Sequence, residues 1–153
     1  GLVVALPVLP AGDADPVIAL NGDVGETIGW PDLVRTVAGV ARGLPRRPEP
    51  AILTANYGEA GAIDRYGPAL GLAPAFSGHN AYGDWGPPPG RAGPVIAVGL
   101  GPRDLAGLES CRRVARIGNG AGVDNDEEGA PVVVCRGPRR PWSAAWPALR
   151  HLG

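Results

Sequence analysis

The apolar residues of this chain come in short runs of Val, Ile, Leu and Ala, each broken within a few positions by Gly, Pro or Asn, and that pattern limits the folds open to it. With one Phe, three Tyr and four Trp, the interior must be filled by small aliphatic side chains, which suits a buried parallel or mixed sheet. At 153 residues the chain has the length of one domain with one core. No apolar run approaches the roughly 18 to 20 residues that span a bilayer, and no signal-peptide pattern is present.

Val17-Ile18-Ala19-Leu20 reads as a strand ending at the turn signal Asn21-Gly22. Over residues 31–42 the positions Leu33, Val37, Val40 and Ala41 recur at helical spacing, with Pro31 suited to the first helical position and Gly43 to the position after the last. Strands follow at 51–55, 75–77 and 94–99, a second helix over 59–66 stops at Gly67-Pro68, and residues 103–109 suit a helical turn or two. Runs at 112–117 and 132–136 flank a Gly-, Asn- and acid-rich connection and predict an antiparallel pair. This order predicts the α/β class: a three-layer sandwich whose mixed sheet is mainly parallel, with an antiparallel hairpin at one edge.

The formal charge of −1 and pI near 6.1 supply no field for a polyanion, which excludes nucleic acid as a partner class. Every basic residue is Arg, and Lys, Gln and Met are missing, a bias that fits a GC-rich genome more than a function. The chain opens directly on Leu2-Val3-Val4-Ala5-Leu6 with no basic or amphipathic lead. Residues 1–153 are therefore expected to form a single soluble domain of a larger protein, with any export or anchoring signal outside it.

Cys111 and Cys135 flank the expected hairpin symmetrically, so an antiparallel register would bring them face to face. A disulfide there would stabilise the fold by about 3.5 kcal/mol on the chain-entropy model, less any strain, and would indicate an oxidising compartment. The other reading is a pair of small buried hydrophobes. Neither CxxC nor a nearby His supplies metal-ligand spacing.

Polar and aromatic residues concentrate after the second and third expected strands: Asn56, Tyr57 and Glu59, then Ser77, His79, Asn80, Tyr82 and Trp85. Groups beyond the carboxyl ends of adjacent strands converge on one crevice, so these eight are the candidate ligand contacts, able to hold a polar ligand such as a sugar by stacking and hydrogen bonding. Structural roles compete: Asn56 and Glu59 could cap the second helix, Trp85 could be core, and His79 could be a hydrogen-bonded structural residue. Ser77, His79 and Glu59 suggest a hydrolase triad, yet the GxSxG elbow is missing. Gly118-Asn119-Gly120-Ala121-Gly122 lacks a phosphate-loop pattern, and Asp124-Asn125-Asp126-Glu127-Glu128 lacks the spacing of a calcium loop, so a solvated connection is the better reading of the acidic run. Arg139, Arg140 and Trp142 are of types that favour an anionic membrane surface.

Taken together, several segments resemble the C-terminal soluble domain of bacterial, chiefly actinobacterial, protein-mannosyltransferase-like membrane glycosyltransferases of the GT-C group. They are Gly25-Glu26-Thr27-Ile28-Gly29-Trp30-Pro31, Asn56-Tyr57-Gly58-Glu59-Ala60-Gly61-Ala62, Asp64-Arg65-Tyr66-Gly67, Ser77-Gly78-His79-Asn80 and Trp85-Gly86-Pro87-Pro88. The later segments are Val123-Asp124-Asn125-Asp126-Glu127-Glu128-Gly129, Cys135-Arg136-Gly137-Pro138, Pro141-Trp142 and Trp146-Pro147. The resemblance implies a domain on the extracytoplasmic face of the membrane, joined to a transmembrane portion of the same polypeptide that transfers sugar from a polyprenyl-phosphate donor to a glycan or protein acceptor. The catalytic carboxylates of that group belong to a loop near its N-terminal membrane helices, and no residue here is matched to them. It thus implies no catalytic residue, cofactor or metal in this domain, and a role in acceptor or sugar recognition or in shaping the membrane active site. A self-sufficient hydrolase using His79 with Glu59 or Asp84, and a purely structural interaction module, are the alternatives.

Overall fold

The computed structural model describes residues 29–90, 93–118 and 129–153. The expected strand at 17–20, its Asn21-Gly22 turn, most of the Gly-rich stretch from Asn119 and the acidic run 124–128 lie outside the described residues. The first helix, α1 (Trp30–Arg42), carries Pro31 in its opening turn and buries Leu33, Val34, Val37 and Ala38 along one stripe. Its entry residue Gly29 has φ 100, a left-handed conformation that a β-carbon would oppose. Asp32 in the first turn and Arg42 in the last complement the helix dipole.

β1 (Ala51–Thr54), α2 (Tyr57–Tyr66), a 3-10 turn (Pro68–Leu70) and β2 (Ala75–Ser77) follow, then a second 3-10 turn (Asn80–Trp85) and β3 (Val95–Val98). The last part holds α3 (Pro102–Leu105), β4 (Leu108–Glu109), β5 (Arg112–Arg116), β6 (Pro131–Cys135), β7 (Gly137–Pro138) and α4 (Trp142–Leu149). One sheet runs β2-β1-β3-β6-β5, and β4 with β7 forms a small second sheet. β1 is parallel to both β2 and β3, whereas β6 is antiparallel to β3 and to β5. The α/β class and mixed sheet are as expected, with the parallel and antiparallel pairings equally represented among the five strands of the main sheet.

Alternate residues of each strand face opposite layers. Ile52, Ala75, Ile96, Val98 and Val132 pack with α1 and α2, while Leu53, Val95, Ala97, Val133 and Cys135 pack with α4. Helices therefore cover both faces, and all four residues of β3 are buried. The layer on the second face comes from α4, which the sequence reading left without an element. Its signal was present, since Trp142, Ala145, Trp146 and Leu149 recur at i, i+3, i+4 and i+7, but the flanking Pro141 and internal Pro147 are turn and breaker residues that mask it. The expected helical stretch at 103–109 stops at Leu105, because Leu108 and Glu109 pair instead with Pro138 and Gly137. Trp142 is buried at 4% exposure, so the expected membrane-facing trio reduces to the exposed Arg139 and Arg140.

Cys111 and Cys135 form a disulfide, with Cα atoms 4.0 Å apart. The pairing of Arg112 with Val134 sets the register that puts the two cysteines opposite one another. Among the described residues, no helix is long and apolar enough to cross a membrane.

Candidate functional site

β1, β2 and β3 are parallel and in register, Thr54 beside both Ser77 and Val98, so the segments leaving them emerge at one edge of the sheet. The first of these segments opens α2. Asn56 Oδ1 accepts from the Glu59 backbone N–H at 2.8 Å, and Glu59 Oε2 accepts from the Asn56 N–H at 3.1 Å. This capping box satisfies two donors at the helix start. Glu59 is only 2% exposed and its carboxylate lies against the turn after β3, where Gly99 has φ +70 and an added β-carbon would come within 2.6 Å of Glu59 Oε1. The structural reading of Asn56 and Glu59 thus accounts for the two hydrogen bonds between them.

Ser77 is fully buried and its Oγ accepts the His79 backbone N–H at 3.2 Å. His79 itself sits at the rim. Its Nδ1 accepts from the Tyr57 N–H at 3.4 Å, its ring meets the Tyr57 ring at 5.2 Å, and on another side it stacks on His151 at 4.8 Å with planes 9° apart. With Nδ1 accepting, the neutral ring carries its proton on Nε2, which is buried and has no partner among the described residues. Burial first, and the neighbouring His151 second, push the His79 pKa below the ordinary 6.5.

The segment that brings His151 here is the one after α4. His79 and His151 form a parallel bridge, His151 N–H donates to the Gly78 carbonyl at 3.0 Å, and Asn80 N–H donates to the His151 carbonyl at 3.0 Å. Gly153 N–H reaches Asn80 Oδ1 at 3.2 Å, Arg150 pairs with Asp84, and Gly78 has no room for a β-carbon because the Leu149 carbonyl occupies that space. Much of the crevice expected to receive a ligand is lined and covered by this chain's own residues 149–153. His151 and Arg150 were not among the expected site residues, since only a contact across some 70 positions of chain brings them in.

Farther along the rim, the Tyr82 hydroxyl donates to Asp64 Oδ2 at 2.5 Å, and burial together with that carboxylate raises its pKa well above the usual phenol range. The Tyr82 ring in turn supports Trp85 at 4.4 Å between centroids. Trp85 is 74% exposed and Tyr57 53% exposed, so the alternative of Trp85 as a core residue is corrected: its indole lies on the surface. The structure therefore brings Tyr57 to His79 and Tyr82 to Trp85, holds Asn80 against Gly153, and keeps Asn56, Glu59 and Ser77 in backbone contacts beneath. His79 contacts neither Glu59 nor Asp84 by hydrogen bond, and Asp84 is engaged by Arg150.

Among the described residues no group of three or more His, Cys, Asp or Glu is placed to hold a metal ion. No family model, curated protein or solved structure matches the chain.

Proposed function

We propose that this chain is an auxiliary recognition domain of an extracytoplasmic membrane glycosyltransferase, contributing an aromatic surface to acceptor or sugar binding and performing no chemical step alone. The observation that carries the reading is Trp85: a large indole left 74% exposed, yet braced by a Tyr82 ring that Asp64 fixes through its hydroxyl. An aromatic face held in place while presented to water binds the apolar face of a sugar ring with little ordering cost. Asp84 and Arg150 beside it offer hydrogen-bonding groups of both signs. The disulfide suits an oxidising compartment. That His79 makes no hydrogen bond to Glu59 or Asp84 supports the non-catalytic reading over the hydrolase one, because no carboxylate orients the imidazole for general-base work.

The test is an NMR titration of the chain with monosaccharides, polyprenyl-phosphate headgroup analogues and short acceptor-like peptides, with Trp85→Ala alongside. Saturable shifts centred on Tyr57, Tyr82 and Trp85 without product are expected, and Trp85→Ala should weaken binding roughly tenfold at unchanged stability. Turnover of any of these compounds, or no localised shift with all of them, overturns the reading.

A further inference from the structure

A second concave site lies at the end of the main sheet opposite the aromatic surface, where the parallel strands begin, and it does not rest on the function proposed above. The first turns of α1 meet the sheet with Leu33, Val34 and Val37, but its last turns bring only Ala38 and Ala41 to this end. Small side chains at the end of the stripe leave space between the helix and Ile52 of β1 and Ile96 of β3, and residues 70–73, the turn before β2, complete the wall. The cavity so formed is about 410 Å³, in the range of small-molecule pockets. Ala38, Ile52, Leu72 and Ile96 also belong to the main core, so the floor is a continuation of that core, and filling it adds dispersion contacts that the open cavity leaves unmade.

The polar part of the lining is confined to the mouth. Arg42 from the end of α1, and Arg46 and Glu49 from the segment leading into β1, stand there, two arginines against one carboxylate and so a formal +1. All three are exposed, and none makes a hydrogen bond or ion pair among the described residues. Charges of opposite sign that share a rim without pairing leave their hydrogen-bonding groups to a ligand, and the excess here is positive.

The geometry points to a binding site for a small monocarboxylate with a compact aliphatic body, the carboxylate at Arg42 and Arg46 and the body over Ile52, Leu72 and Ile96. A guanidinium holds a carboxylate through two parallel, charge-assisted N–H···O bonds, and one negative charge matches the +1 of the mouth. Glu49 disfavours a second negative charge, whereas a cation would meet one carboxylate between two like charges. The floor carries no charge that an alkyl group would have to desolvate. No bond is made or broken at the site.

The probe is hexanoate, titrated into the chain by NMR at neutral pH, with acetate, butanoate, hexanol, hexylammonium and dodecanoate below its micelle concentration as separate arms. Saturable shifts of the Ile52, Leu72 and Ile96 methyl groups are expected with hexanoate, weakening about fourfold for each methylene removed toward butanoate. Acetate, hexanol and hexylammonium should each bind at least about tenfold more weakly, and dodecanoate no tighter than hexanoate, since its chain outgrows the cavity. Arg42→Gln and Arg46→Gln should each weaken hexanoate roughly fivefold, and Glu49→Gln should strengthen it about two- to threefold. Ala41→Leu, at a half-buried position, should fill the space and weaken hexanoate at least about tenfold while leaving the backbone spectrum elsewhere unchanged. Hexanol binding as tightly would make the site merely apolar, acetate merely anionic, and tighter dodecanoate would make it a lipid site. Insensitivity to all three charge substitutions would place the ligand elsewhere. Each of these results, or absence of saturation with hexanoate, overturns the proposal.

Discussion

His79 is where the chemistry of a single residue and the architecture around it meet. Its ring has an acceptor satisfied by Tyr57 and a buried Nε2 without a partner among the described residues, and it faces a second imidazole face to face. The charged form is disfavoured there, so the docked ring takes up its proton at lower pH than a ring released to solvent. The sign follows from linkage: the docked arrangement keeps its full stability above pH 6.5 and loses it as pH falls from 6.5 through the lowered pKa of the docked ring. Acid is therefore expected to loosen residues 149–153 from the rim, read as falling hydrogen-exchange protection of the His151 amide, which bonds to Gly78. His151→Ala should shift the His79 titration upward, because it removes the second cause of the depression; an unmoved titration would refute that coupling. Asn56 and Glu59 show the other outcome at this scale. Their three-residue spacing is a capping signature legible in sequence, and the structure realises it at the start of α2.

Among the elements, the β5–β6 pair is the one whose stability depends most directly on a covalent link. β5 is an edge strand of the main sheet, its arginines 112, 113 and 116 are exposed, and its register slips between Arg113 and Ala115. Such a strand buries little apolar surface with which to hold its own position. Replacing Cys111 and Cys135 by Ser should lower stability by about 3.5 kcal/mol or somewhat less, measured by urea denaturation, with the earliest loss of amide protection in β5. The opposed cysteines could be anticipated because two strand-like runs bracket a loop symmetrically, and antiparallel pairing then leaves one simple register. α4 could not be placed as readily. Its apolar spacing is helical, but Pro147 removes a helix hydrogen bond, and what offsets that loss is the burial of Trp142 and Trp146 against the sheet, each worth about 1.5–3 kcal/mol.

At the scale of the whole molecule, the segment after α4 joins parts of the chain that nothing local would associate. Trp146 Nε1 donates to the Gly83 carbonyl at 3.0 Å, Arg150 pairs with Asp84, and residues 149–151 run against Gly78 and His79. Gly78 is the tightest point, because a β-carbon there would overlap the Leu149 carbonyl. Gly78→Ala is expected to cost roughly 1–3 kcal/mol and to separate the two imidazoles, seen as lost contact between the His79 and His151 rings by NMR; full retention of that contact would refute the role given to Gly78. The sequence by itself determined the α/β class, the positions of the five strands of the main sheet and of α1 and α2, the capping of α2 and the opposition of the cysteines, but neither β4 nor β7. Each depends on periodicity, turn residues or short spacing, which act over a few positions of chain. Only the tertiary structure decided that α4 covers the second face, that residues 149–153 lie over the expected crevice, that Trp85 faces solvent and that Arg42, Arg46 and Glu49 share the mouth of one cavity. These arise from which surfaces are left to bury once the sheet has formed, a competition among distant segments that no local pattern records.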